Sequence, residues 1–251
     1  MNDHVIDWAR VLDPRGTAGR VPALLEQVER DGGAEAWEEL WYELCLEGET
    51  VVPASFAALP RLVALAPDNP EALNLAGSIM RGAIQHHGAD DLLLKCADVV
   101  AQLRKLLDQR LKSRPAGYLN AFRHLLAADG QYHWSAVLGD FTDDFYHLCC
   151  PHCEVEVTVA IGDYGRYSAI RDWNAGDMER RDLKPASPED LAGTGRWMHD
   201  TAVRDGQDWL VNGLTYLFGR AECPRCASTF VIAAEYAAAN LPPLCSRAAM
   251  G

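Results

Sequence analysis

The chain has 251 residues, about half of them hydrophobic, and a formal net charge of -13. That length supports one large or two small domains with a real core, and no apolar run approaches the roughly 20 residues of a membrane helix. The acidic balance counts against nucleic acid, because it repels phosphate backbones, and Met1-Asn2-Asp3-His4 lacks the basic and apolar regions of a secretory signal, which sets a cytoplasmic expectation.

Residues 1–140 read as helix after helix. Ala34 to Leu46 carries Trp37, Leu40, Trp41, Leu44 and Cys45 at helical spacing, and Gly48 stops it. Ala54 to Ala66 follows, with Pro60 predicting a kink or a new turn. Pro67-Asp68-Asn69-Pro70 breaks the chain, and Pro70 opens a helix running through Leu73, Leu75, Ile79 and Ile84 to His86-His87-Gly88. A longer helix is expected from Asp90 to about Lys112, acidic at its start and basic at its end. Pro115 opens another reaching Leu126, and Asp129-Gly130 turns into a short piece around Trp134 and Leu138. Val21-Pro22-Ala23 and Val52-Pro53-Ala54 each precede a helix, a faint repeat. The expectation is mainly α: an array of helical hairpins, either a solenoid or an irregular bundle.

The texture changes in residues 141–251. Glu154 to Ile161 alternates as a strand, Gly162-Asp163-Tyr164-Gly165 is turn chemistry, and Arg166 to Ile170 can return beside it. Residues 171–186 read as a polar loop. Ser187-Pro188-Glu189-Asp190 is a helix start, with one helix to about Arg204 and a second from Gln207 to Phe218 before Gly219. Ser228 to Ile232 reads as a short strand.

The strongest chemical signal is a pair of short words, Cys150-Pro151-His152-Cys153 and Cys223-Pro224-Arg225-Cys226. Each supplies two thiolates, and together they offer the four ligands of one tetrahedral, structural Zn2+ per chain. Each pair precedes a strand, so two knuckles on paired strands would make a small zinc ribbon, interrupted by a helical insertion at about 187–219. The separation of roughly 70 residues departs from the compact spacing of roughly 15–20, but loop-closure cost rises slowly with length. A thioredoxin-like redox pair would need a helix after the cysteines, where strand is expected. Cys149, His147 and His152 flank the first pair as alternative ligands; symmetry with Cys223 and Cys226 favours Cys150. Cys45 and Cys96 read as buried apolar residues, and Cys149 and Cys245 are left over.

Elsewhere the sequence carries no phosphate loop, no Gly-x-Ser-x-Gly and no His-Glu-x-x-His. His124, His133 and His199 are isolated on helical patterns. Glu38, Glu39, Glu43 and Glu47 form an acidic helix face, either solvated or a patch for a basic partner. Lys105, Arg110, Lys112 and Arg114 read as a solvated helix end.

The stretch from Ala36 to Leu65 resembles bacterial HEAT-like helical proteins through Gly48, Val51, Ala54, Ala58, Pro60 and Leu62. CCPHCEVEVTVAIGDYG and YLFGRAECPRCASTFVIA look like the two halves of a zinc ribbon. Together they are similar to HEAT-like proteins that carry such a ribbon. The resemblance implies a zinc-stabilised protein–protein interaction module, of which an immunity or antitoxin-like protein is one form, and it carries over no catalytic residue. The alternatives are an enzyme with its active site in the helical half and a nucleic-acid-binding ribbon.

Overall fold

Helix boundaries in the first half follow local chemistry. The computed structural model describes residues 7–46, 50–86, 89–139, 141, 145–172 and 174–240. The chain divides into two compact units, Met1–Ser135 and Ala136–Gly251.

In the first unit, α1 (Val21–Asp31) has proline in its first turn, where the missing N–H has no intrahelical role, and ends at Gly32 with φ 64°. Helix α2 (Ala34–Leu44) stops two residues before the expected Leu46. Cys45–Leu46 (β1) instead pairs with Thr50–Val51 (β2). Ser55 drives this ending, donating its hydroxyl to the Leu44 carbonyl (2.5 Å) and accepting from the Val52 amide (2.9 Å). Gly48 and Glu47 lie outside the described residues.

Helix α3 (Pro53–Leu65) continues through Pro60 as one helix, so of the two expectations there no new helix begins. Proline there forfeits one helical hydrogen bond, but burial of Phe56, Ala58, Leu59, Leu62 and Val63 holds the helix in place. Helix α4 (Pro70–Gly82) is capped by Asn69, whose side chain accepts from the Glu71 and Ala72 amides. It gives way to a 3-10 turn, Ala83–Gln85, short of the predicted end. The single helix expected from Asp90 to Lys112 is two, α5 (Ala89–Lys95) and α6 (Ala97–Lys112), because Cys96 takes a non-helical conformation at φ -108°, ψ 19°. Cys96 is accordingly half-buried rather than a core residue. Helix α7 (Tyr118–Ala128) follows, and α8 (Tyr132–Val137) carries the chain across the division.

These helices form hairpins: α1 packs on α2, α3 on α4, α6 on α7. Between hairpins α1 touches α3 and α3 touches α6, while α2 touches α4 and α4 touches α7. The result is two layers, α1-α3-α6 and α2-α4-α7, closing on a core that includes Leu25, Leu40, Phe56, Leu75, Ile79, Leu103 and Phe122. Each such side chain contributes about 1.5–3 kcal/mol by leaving water. The acidic face is not wholly solvated: Glu43 is fully buried and ion-paired with Arg15 (3.1 Å) and Arg20 (3.6 Å). Burial pushes its carboxyl above the ordinary value, with Arg15 opposing.

In the second unit, β3 (Phe145–Cys149), β4 (Glu156–Gly162), β5 (Gly165–Asp172) and β6 (Gly176–Asp182) form an antiparallel sheet in that order. The β4–β5 turn is Asp163-Tyr164, between the paired Gly162 and Gly165. Strand β6 occupies much of the stretch expected to be loop. Its sequence, GDMERRD, is almost wholly exposed and lacks an apolar alternation, as suits a charged edge strand. A second hairpin pairs β7 (Arg220–Glu222) with β8 (Thr229–Val231).

Between the hairpins stand α9 (Gly193–Arg204) and α10 (Asp208–Leu217), and α11 (Ile232–Asn240) ends the described chain. Ser187 caps a 3-10 turn, Pro188–Asp190, rather than α9 itself. The sheet's apolar face carries Tyr146, Leu148, Val157, Val159 and Ile161, all buried, and α10 and α11 pack on β4 and β3. Tyr146 meets Tyr236 edge-on, centroids 5.1 Å apart. No helix among the described residues is long and apolar enough to cross a membrane.

Candidate metal centre

Each cysteine pair occupies the tip of its own β-hairpin. The Cys150 amide donates to the Val155 carbonyl (2.9 Å) and the Glu154 amide to the Cys150 carbonyl (2.9 Å). The second knuckle repeats the pattern: Cys223 donates to Ser228 (2.8 Å) and Ala227 to Cys223 (2.9 Å). The residue after each second cysteine, Glu154 at φ 59° and Ala227 at φ 58°, takes the left-handed conformation that reverses the chain.

The strand pairing differs from the expected ribbon. Strands β4 and β8, which follow the two pairs, do not pair with each other. Each pairs with the strand before its own cysteines, β3 or β7, because the knuckle folds the chain back on itself. The β5–β6 side of the four-stranded sheet is tied to β7 by a bridge between Lys184 and Arg220 and by the Ser168 hydroxyl of β5, which donates to the Glu222 carbonyl (2.6 Å).

This arrangement brings all four sulfurs of Cys150, Cys153, Cys223 and Cys226 within 4.8 Å of one another. Cys150 Sγ lies 3.7 Å from Cys226 Sγ, and Cys153 Sγ lies 3.7 Å from Cys223 Sγ. A disulfide would need about 2.05 Å, so these contacts are not bridges. Sulfurs about 2.3 Å from a central cation, at the corners of a regular tetrahedron, are about 3.8 Å apart. The donor set therefore fits one four-coordinate metal ion. Cys150 and Cys223 are buried, Cys153 is half-buried and Cys226 exposed, so the cluster has one side in the core and one at the surface.

The electrostatics are uneven. Burial pushes the Cys223 thiol up to about 12, although the Cys226 and Arg225 amides favour its thiolate. The Ser228 hydroxyl and amide draw Cys226 down to about 6. At Cys153 the Val155 amide favours ionisation, as does the Cys223 sulfur, yet burial and the Cys226 and Cys150 sulfurs leave the thiol raised. Four thiolates at this spacing require a cation to offset their mutual repulsion.

The alternative ligands lie outside the cluster. Cys149 is exposed on β3, opposite Glu156. His147, also exposed, faces Thr158 Oγ1 (3.5 Å) and Glu156 (3.8 Å), while His152 is exposed within the first knuckle. Cys245 falls outside the described residues. Both pairs lead into strands, so neither has the helix N-terminus that lowers a redox thiol. The sequence reading missed Ser228, whose hydroxyl reaches Cys226. The signal was a hydroxyl two residues beyond the second cysteine, where a knuckle turns its donors inward.

Comparison with protein-family models, with curated proteins and with solved structures finds no match to this chain.

Proposed function

We propose that this chain is a zinc-stabilised protein–protein interaction module that receives a basic protein segment on its helical unit. An immunity or antitoxin-like protein is one role of that kind. The metal assignment is supported by the closed set of four sulfurs: zinc favours four thiolates at tetrahedral spacing, and a full shell leaves no position for water-based catalysis. The helical unit is a HEAT-like array of three hairpins, a reading supported by its two helix layers.

The observation that carries the partner is a groove of about 560 Å3 at the starts of α2 and α4. Trp37 and Trp41 form its aromatic wall, and Glu38, Asp68 and Glu71 surround it with carboxylates. Trp41 Nε1 donates to Glu71 (2.7 Å), which fixes the ring. Aromatic faces beside carboxylates attract lysine and arginine side chains.

The test is titration of the full chain with a synthetic lysine- and arginine-rich peptide, and with a glutamate-rich peptide of the same length. The expected result is saturable, salt-sensitive binding of the basic peptide alone, with slower amide exchange at the starts of α2 and α4. Asp68→Asn with Glu71→Gln should weaken it about tenfold or more. Equal affinity for both peptides, or no effect of the double substitution, defeats the reading. Metal analysis should return about one zinc per chain.

A further inference from the structure

A second cavity in the helical unit, between α4, α6 and α7, has a different chemistry. It encloses about 270 Å3, and Ser78 and His124 make its floor. Both are buried, at 3% and 4% exposure, and Ser78 Oγ lies 3.3 Å from His124 Nε2. Asn74, Asn120 and Arg110 stand around the mouth, and the Trp41 ring makes one wall. No carboxylate lines it among the described residues.

The donors converge. Asn120 Oδ1 accepts from Arg81 (3.4 Å), so what Asn120 can offer a ligand is its NH2 group. Arg110 brings a guanidinium that is always charged. His124 is held neutral, its pKa lowered to about 3 by burial, with the charges of Arg81 and Arg123 adding. A base that weak cannot activate Ser78 at neutral pH, which removes the hydrolase reading of a serine–histidine pair. A neutral imidazole carrying its proton on Nε2 can instead donate to Ser78 Oγ, freeing the serine proton for a ligand. In a chain of net charge -13 this is a local concentration of donors and positive field.

We propose that this cavity binds a small oxyanion, a carboxylate or phosphate group, with Arg110 as its charge partner and Ser78 and Asn120 as hydrogen-bond donors. The site is separate from the acidic groove except for the shared Trp41 ring, and it stands whether or not a basic protein binds there.

The experiment is calorimetric titration of the metal-loaded full chain with inorganic phosphate, with acetate, and with chloride as the control. At least one oxyanion should bind saturably and more tightly than chloride. If phosphate binds more tightly the ligand class is a phosphate ester; if acetate does, it is a carboxylate. Arg110 is exposed at the end of α6, so Arg110→Gln leaves the core intact. It should weaken binding at least about tenfold, as loss of a charged hydrogen bond does. Arg104→Gln, on the same helix but paired with Asp129, should leave binding unchanged. Amide and side-chain resonances of Ser78 and Asn120 should shift on titration. No preference over chloride, or equal losses in the two arginine variants, overturns the proposal.

Discussion

The helical unit and the cysteine-bearing unit solve the same problem with different means. The first spreads its apolar side chains over long helices, so that each layer buries the face of the other and no single contact decides stability. The second has strands of three to eight residues, and its β7–β8 hairpin has three residues on each side. A hairpin that short is marginal by itself. Its position depends on ties to its neighbours, and the four sulfurs are the strongest tie available. Where elements are long, periodic burial suffices; where they are short, a cross-link must replace the missing area.

The largest effect expected from this contrast is metal loss. Cys150→Ser with Cys223→Ser should reduce bound metal from about one ion per chain to near none. Structural zinc sites contribute on the order of 10 kcal/mol to the fold they close, so β3, β4, β7 and β8 should lose amide protection. Helices α1 to α4 should keep theirs. Metal analysis with residue-resolved hydrogen exchange reads both, and unchanged metal content would refute the assignment.

Close helix and loop packing ranks next. A Cβ added at Gly213 would lie 1.8 Å from Phe141 Cζ, and one added at Gly77 would lie 2.4 Å from His124 Cγ. Gly213→Ala and Gly77→Ala should each cost about 1–3 kcal/mol through overpacking, measured by denaturant unfolding. Gly213→Ala should loosen α10, and Gly77→Ala the α4–α7 contact. Recovery of Gly213→Ala in a Phe141→Leu background would tie its cost to the ring; full additivity would show that the ring is not the cause.

How much of this was readable beforehand follows the same division. Helices α2, α3, α4 and α7 announced themselves through apolar spacing and through Pro53 and Pro70 at their starts. The four cysteines were equally plain, since ligand spacing is local. What escaped depended on partners distant in sequence. Strand β6 has no apolar face to betray it, β3 and β7 are defined by what they pair with, and Glu43 looks like its solvated neighbours until Arg15 and Arg20 arrive. The Ser78–His124 contact joins two helices, though Asn74 and Ser78 on α4, and Asn120 and His124 on α7, are polar pairs one turn apart on otherwise apolar helices.

Acid should separate the units in a third way. His124 has a folded pKa of about 3 against an ordinary value of 6.5. Between those values the unfolded chain binds the extra proton and the native chain does not, so stability falls as pH drops from 6.5 toward 3. The slope should approach about 1.4 kcal/mol per pH unit from this residue. Unfolding of the helical unit, followed at pH 7, 6 and 5, should show it, and His124→Gln should flatten the dependence. An unchanged slope in that variant would assign the acid sensitivity elsewhere.

The smallest effect concerns the knuckles. Ala227 holds φ 58° at an exposed position where a Cβ is unfavourable, at a cost of about 1–2 kcal/mol. Glycine removes that cost but adds about 0.5–1 kcal/mol of unfolded-state entropy. Ala227→Gly should therefore stabilise the second unit by a few tenths to about 1 kcal/mol, with metal content unchanged. Ala238→Gly, at an exposed position of α11, makes the same chemical change at a helical site and should destabilise by up to about 1 kcal/mol. Opposite signs in thermal unfolding would establish that the second knuckle stores backbone strain, held in place by the sulfur cluster. Equal losses would mean that the turn at Ala227 carries no such strain.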